Sequence, residues 1–312
     1  MTPPRPAILD CDPGIDDCVA ILLALASPEV DLRGITTVAG NTSLANATAN
    51  ALAILDWTGR PDLPVAAGAA VGIGPASGAE WGIAGEMHGP TGIEGAALPL
   101  SARVADDDAV ALLAETVLAA PGQVTIVATG PLTNVAHLLD RHPEAGSALR
   151  ELVVMGGSLI GGNITDWAEF NVWCDPVATA RVLEHGLDPL FVGLDVTTRA
   201  TLSREDVHDL LALPVLGPDL HGMLLHYLAK HVEWHGVDVV HQHDPLALSW
   251  LIDPTLLDVR PVHLAVATEG ERAGCTTVAA DGAPNARWAQ GVRGDAFRTL
   301  LLERLGALAA SL

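Results

Sequence analysis

Lysine is almost missing from this chain. Lys230 is the only one in 312 residues, and with 16 basic against 38 acidic residues the formal charge is −22. A phosphate cradle of the P-loop kind has no lysine to complete it. So acidic a balance also excludes nucleic acid and anionic membrane as partners. Cysteine is sparse too: Cys11, Cys18, Cys174 and Cys275 are scattered, with no C-x-x-C pair. That spacing excludes a disulfide framework and a zinc ribbon and points to a reducing compartment. No apolar run reaches the roughly 18 residues of a membrane span, and no basic segment followed by an apolar one opens the chain. A cytoplasmic protein is expected. Aromatic residues make up only 4% against 49% hydrophobic, which leaves the core to alanine, leucine, valine and glycine. Parallel sheets covered by small-residue helices have that composition. Without repeats, linkers or low-complexity segments, residues 1–312 read as a single α/β domain.

What the chain does have is carboxylate concentrated in one place. Ala7-Ile8-Leu9 reads as a buried strand, and Asp10, Asp12, Asp16 and Asp17 follow it within eight residues, broken by Pro13-Gly14. Proline and glycine mark a turn there, and Val19, Ala20, Leu22, Leu23 and Leu25 then recur at helical spacing. The aspartates therefore leave the C-terminal end of a strand, the edge where open α/β sheets bind ligands. Asp16 and Asp17 also suit the positive end of a helix, but that leaves Asp12 without a role. Carboxylates this crowded repel one another unless a cation lies between them. Oxygen-only ligands suit Ca²⁺ or Mg²⁺.

The rest of the chain repeats the strand–turn–helix pattern. Val30–Val38 ends at Asn41, with Thr42 or Ser43 free to cap the helix Leu44–Trp57. Val65–Ala67 is a short strand, followed by a glycine-rich loop from Gly68 to Leu100 holding Glu80, Trp81, Glu86, Met87 and His88. A long loop in a compact domain is usually functional, and His88 is its best candidate ligand contact. Asp106 or Asp107 is expected to cap a helix to Ala119. Strands are expected at Gln123–Ala128, Leu149–Met155 and Pro189–Leu194. The Thr129 carbonyl, at the bend after the first of these, is a possible hard-cation ligand. Asn163, Glu169 and Asn171 offer donors and acceptors for vicinal hydroxyls, with Phe170 as an apolar face. Helices are expected at Val177–His185, Leu202–Leu213 and Asp219–His235, the last carrying Tyr227, His231 and Trp234. His243-Asp244-Pro245 places a proton donor beside a carboxylate, ahead of a helix over Leu246–Ile252. Val259–Ala267 and Cys275–Ala280 read as an antiparallel pair, and Asp295–Ala310 as a closing helix.

Asp10-Cys11-Asp12-Pro13-Gly14-Ile15-Asp16-Asp17 resembles the D-x-D-P-G-x-D-D signature of the inosine/uridine-preferring nucleoside hydrolases. Asn41, Ala128-Thr129-Gly130-Pro131-Leu132-Thr133-Asn134, Met155-Gly156-Gly157, Gly162-Asn163 to Ala168-Glu169-Phe170-Asn171 and His243-Asp244-Pro245 match that family's later stretches in order. The resemblance implies a Rossmann-like, mostly parallel sheet flanked by helices, and a homodimer or homotetramer. It implies Ca²⁺ held by Asp12, Asp17, the Thr129 carbonyl and Asp244. Asp16, Asn41, Asn163, Glu169 and Asn171 would grip the ribose, with Met155 packed near it. His243 resembles the acid proposed for the leaving base in part of the family, and His88, Phe170 and Tyr227 complete the candidate substrate contacts.

The chemistry agrees with that assignment. Cleaving an N-glycosidic bond passes through an oxocarbenium-like sugar, which a ring of carboxylates favours. Asp12 would take a proton from the attacking water, activated by the ion, and His243 would give one to the base. Acid and base on opposite faces imply inversion. A haloacid-dehalogenase-like phosphatase also uses D-x-D after a strand, but it needs a cationic residue, typically lysine, and Lys230 has no motif around it. A non-enzymatic calcium- or nucleoside-binding module would need neither Asp12 aimed at water nor His243.

Overall fold

A computed structural model describes residues 3–74 and 85–312, so Glu80 and Trp81 lie outside the described residues. The chain opens with β1 (Arg5–Cys11), α1 (Ile15–Ala26), β2 (Val30–Thr37), α2 (Leu44–Trp57) and β3 (Val65–Ala67). It continues through α3 (Gly85–His88), α4 (Ala109–Ala119), β4 (Thr125–Ala128), α5 (Thr133–Arg141), α6 (Pro143–Ala148) and β5 (Glu151–Met155). Then come α7 (Phe170–Cys174), α8 (Pro176–Glu184), β6 (Leu190–Val192), α9 (Leu194–Thr197), β7 (Thr201–Ser203) and α10 (Arg204–Leu210). The last part holds α11 (Gly217–His235), β8 (Val239–His241), α12 (His243–Ile252), β9 (Leu257–Val262) and β10 (Leu264–Val266). It closes with β11 (Thr276–Val278), β12 (Ala286–Val292) and α13 (Gly294–Ala309).

The central sheet has eight strands in the order β3-β2-β1-β4-β5-β6-β12-β9, with only β9 antiparallel to its neighbour. Side chains alternate across it, as the period of a strand requires. Ile8, Ile126, Val154 and Phe191 join one apolar cluster with residues of α4, α5 and α8, while Leu9, Val127, Val153 and Val192 join another with residues of α1, α11, α12 and α13. The first six strands follow the order 3-2-1-4-5-6, which reverses between β1 and β4. A crevice opens at the carboxyl ends of the strands flanking such a reversal. Asp12 leaves β1 there and Thr129 leaves β4.

Several boundaries differ from the sequence reading for identifiable reasons. Asp108, not Asp106 or Asp107, caps α4, its Oδ1 accepting from the Ala111 amide at 2.9 Å. Asp106 instead bridges to Ala66 at the sheet edge. The expected helix 202–213 begins as a strand, β7, paired with β8, and Ser203 and Asp206 form a capping box that starts α10 only at Arg204. The antiparallel pairing expected of 259–267 with 275–280 is confined to β10 and β11. β9 pairs with β12, which puts the fully buried Trp288 into the sheet between β6 and β9.

Candidate active site

Asp12 and Asp17 are completely buried, and Asp16 and Asp244 nearly so. Pro13-Gly14 turns the chain off β1, and α1 begins at Ile15, so Asp16 and Asp17 lie in its first turn. Asp17 is clamped on both oxygens. Its Oδ2 accepts from the Gly14 amide and from Asn41 Nδ2, each at 3.0 Å, and its Oδ1 accepts from Thr129 Oγ1 at 2.8 Å. Asn41 is free for this because Ser43 caps α2. Asp12 Oδ2 accepts from the Asn41 amide at 2.6 Å, while Asp12 Oδ1 and Asp16 Oδ1 are buried without a partner. Beneath them Asp10 Oδ1 accepts from Thr36 Oγ1 at 2.6 Å and Asn134 Nδ2 at 2.8 Å. Gly40 matters here: a Cβ at that position would fall 2.0 Å from Asp12 Oδ2.

Asp244 arrives from a distant part of the chain, in the first turn of α12, which packs on the same face of the sheet as α1. The helix starts three residues earlier than expected, at His243, and Asp244 does not cap it. Carboxylate oxygens of Asp16, Asp17 and Asp244 lie within 4.8 Å of one another. The sequence reading placed Asp12 in the ligand set and Asp16 on the sugar. In this structure Asp16 joins Asp17 and Asp244 in that triad, and Asp12 stands beside it.

Burial raises every one of these carboxyls. Asp16 is pushed up to about 8, by desolvation first and the charge of Asp17 second. Asp12 and Asp244 move well above the usual carboxylate range, again by burial first and neighbouring aspartates second. Asp17 is also raised by desolvation, and Asp10 to about 6. Among the described residues no lysine or arginine lines the site to relieve them. Buried, unpaired oxygens of hard-donor type could hold an oxygen-liking divalent ion.

The carboxylates floor a cavity with about 670 Å³ of empty space, its open mouth included. Asp16, Asn41, Thr129 and Asp244 line its base, and Met155, Asn163, Glu169 and Asn171 its wall. His88, Phe170, Tyr227 and His243 lie on the lining as well. Of the predicted residues, only Asp12 and Asp17 do not line it; they sit one layer behind, bonded to Asn41 and Thr129. Glu169 caps α7 and accepts from the amides of Gly157, Asn171 and Val172, while burial raises it to about 7. Those bonds fix Asn171, whose Nδ2 donates to the carbonyls of Thr129 at 2.7 Å and Met155 at 3.2 Å. Asn163 Oδ1 accepts from the Phe170 amide at 2.9 Å.

His88 is not a solvated loop residue. It ends α3, is buried, accepts from the Ile15 amide at 3.1 Å through Nδ1, and packs with its ring centroid 5.0 Å from Tyr227. Desolvation, with the nearby His231 and His226, holds it down at about 3. His243 Nδ1 lies 2.8 Å from Thr197 Oγ1, and burial, then the charge of His241, pushes its pKa well below the usual histidine value. Met87, Ile164, His231, Trp234 and His235 also line the cavity and were not singled out as site residues. A signal for them was present: Tyr227, His231 and His235 stand four residues apart, one face of α11.

The model of the family described as inosine-uridine preferring nucleoside hydrolase matches residues 7–299. A pyrimidine-specific ribonucleoside hydrolase, RihA, from Salmonella arizonae is 38% identical, over 96% of this chain and 98% of its own. Among solved structures, a plant nucleoside hydrolase, the PpNRh1 enzyme, superposes with a TM-score of 0.93 at 33% identity, covering 97% of this chain and 99% of that one. A purine-preferring ribonucleoside hydrolase from Gardnerella vaginalis reaches a TM-score of 0.94 at 32% identity, covering 99% and 100%.

Proposed function

Because this chain belongs to the inosine-uridine preferring nucleoside hydrolase family, we propose that it cleaves ribonucleosides with water at a calcium ion held by Asp12, Asp17, the Thr129 carbonyl and Asp244. As a member of that family it is a glycosylase. The observation that carries the metal reading is the set of buried carboxylates at the sheet's reversal point, two of them with unpartnered oxygens and none with a cationic side chain. When bound, the ion would supply a hard Lewis acid for the ribose 2′- and 3′-hydroxyls and for a water molecule.

The protein's own groups supply the rest. Asn41 holds Asp12 Oδ2 and leaves Oδ1 as the oxygen that accepts the water's proton. Asp16, Asn41, Asn163, Glu169 and Asn171 hold the sugar, with Met155 against it. Positive charge growing on the ribose is favoured by this acidic surround. Thr197 accounts for His243 Nδ1, so Nε2 is the nitrogen that serves the departing base. Negative charge growing on the base raises the hold of His243 on a proton and draws that proton across. His88, Phe170 and Tyr227 frame the base. With water and acid on opposite faces the anomeric carbon inverts.

The pyrimidine-specific relatives make uridine and cytidine the first substrates to test, with inosine as the purine comparison. Four buried, free cysteines support a reducing, cytoplasmic setting. Among the described residues no helix is long and apolar enough to cross a membrane. A homodimer or homotetramer is proposed on the resemblance alone and is checked by light scattering. The functional test is incubation of chelated and calcium-replenished protein with the three nucleosides. Free base and reducing sugar are expected only with calcium; equal release under chelator, or none in either, overturns the reading.

A further inference from the structure

Beside the oxygen-lined floor stands a second cluster of different chemistry. Ring nitrogens of His231, His241 and His243 lie within 4.8 Å of one another. They come from α11, the end of β8 and the start of α12, so the tertiary fold assembles them. His231 Nδ1 lies 2.9 Å from the Tyr227 carbonyl, and His243 Nδ1 2.8 Å from Thr197 Oγ1. In both rings Nδ1 is occupied by an oxygen partner and Nε2 is left over, the arrangement that orients imidazole ligands at metal sites. Among the described residues the one competitor for His231 Nε2 is the His241 amide at 3.4 Å, a long bond that an ion would replace. His241 itself makes no side-chain hydrogen bond among the described residues. Its ring stands perpendicular to His231 at 4.7 Å and nearly so to His243 at 5.4 Å.

We propose that His231, His241 and His243 form a second cation site, for an imidazole-preferring transition-metal ion such as Zn²⁺, and that filling it shuts the active site. Three imidazoles select such ions, whereas the carboxylate floor selects hard ones. The two sites would therefore not compete for the same metal. Zinc takes ligands at about 2.0–2.1 Å and accepts a three-histidine set with one open position. One ion would require the three rings to turn their free nitrogens inward from the present spacing. His231 and His243 also line the nucleoside cavity, so an ion here would stand in the space left for the base and occupy His243 Nε2. The inhibitory half of this proposal rests on the catalytic reading of His243; the binding half does not.

The test uses calcium-saturated full-length protein. Co²⁺ titration, followed by visible absorption, and Zn²⁺ competition against a chromophoric chelator report binding without reference to activity. One ion per chain is expected, with at least about a tenfold loss of affinity in His241→Ala, a position outside the cavity lining. His241→Asn is the second variant, and circular dichroism with calcium content checks that each is folded and loaded. Zinc should also suppress uridine turnover of the wild type and spare His241→Ala. The exposed His208–His221 pair, ring nitrogens 3.3 Å apart, is the alternative zinc binder. Zinc bound equally by both His241 variants, or lost instead in His208→Ala, overturns the site. Binding that depends on His241 in a protein with no turnover would uphold the site and refute the catalytic reading. Binding that depends on His241 with turnover unaffected would refute the inhibition.

Discussion

Asp12 illustrates how one oxygen can be singled out by its neighbours. The Asn41 amide takes Oδ2, close approach of Gly40 leaves no room for the carboxyl to shift, and Oδ1 stays unpaired. Asp12→Asn should therefore cost turnover far more than binding, since a base acts on the transition state. A drop in kcat of about 10²–10⁴-fold is expected, with nucleoside affinity by calorimetry little changed. Wild-type kcat would remove Asp12 from the role of base. His243→Ala is expected to slow uridine or inosine by about 10²–10⁴-fold and to leave p-nitrophenyl riboside, whose leaving group needs no proton, nearly untouched. Equal losses on both substrates would make His243 a scaffold for Asp244. Most of these residues were legible in the sequence because each follows a strand and a turn. His231 shows in the sequence only as one of a row with Tyr227 and His235 on a helix face, and only the packing of α11 against β8 brings it beside His241.

At the scale of elements, buried apolar runs were the most readable. α2 and β3 have the predicted bounds, since Ser43 and Pro64 punctuate them cleanly. Where several aspartates compete, sequence alone could not choose. Asp106, Asp107 and Asp108 are chemically alike, and the choice was made by Asp106 joining the sheet edge through Ala66 and Ala67. Asp108→Ala should then destabilise the protein by about 1 kcal/mol in denaturant unfolding. Asp107→Ala should stay within about 0.5 kcal/mol. The reverse order would return the cap to Asp107. β12 was missed because Arg287, Gln290 and Gly291 interrupt its apolar pattern; its place is set by Trp288 packing on Phe191, ring centroids 6.2 Å apart.

The molecule as a whole is acidic outside and holds buried carboxylates at its reversal point, so its stability depends on pH and metal together. Without metal, Asp16 rises from 3.8 to about 8 and Glu169 from 4.5 to about 7. A folded-state pKa above the unfolded value means the native state binds the extra proton. That stability is full below the unfolded value and is lost as pH rises through the folded one. Chelated protein should melt at a lower temperature at pH 8 than at pH 5, and calcium should remove the difference. A chelated melting temperature that is flat or rises over that window would contradict this. The sheet order, which brings Asp12, Thr129 and Asp244 together, was readable only as a strand–helix alternation until the fold placed β4 beside β1. The decisive measurement is kcat/KM for uridine against 2′-deoxyuridine on calcium-loaded protein. With Asp16, Asn171 and the ion all assigned to the vicinal hydroxyls, the ribonucleoside should be favoured by about 10⁴-fold. Comparable values for the two substrates would contradict the assignment.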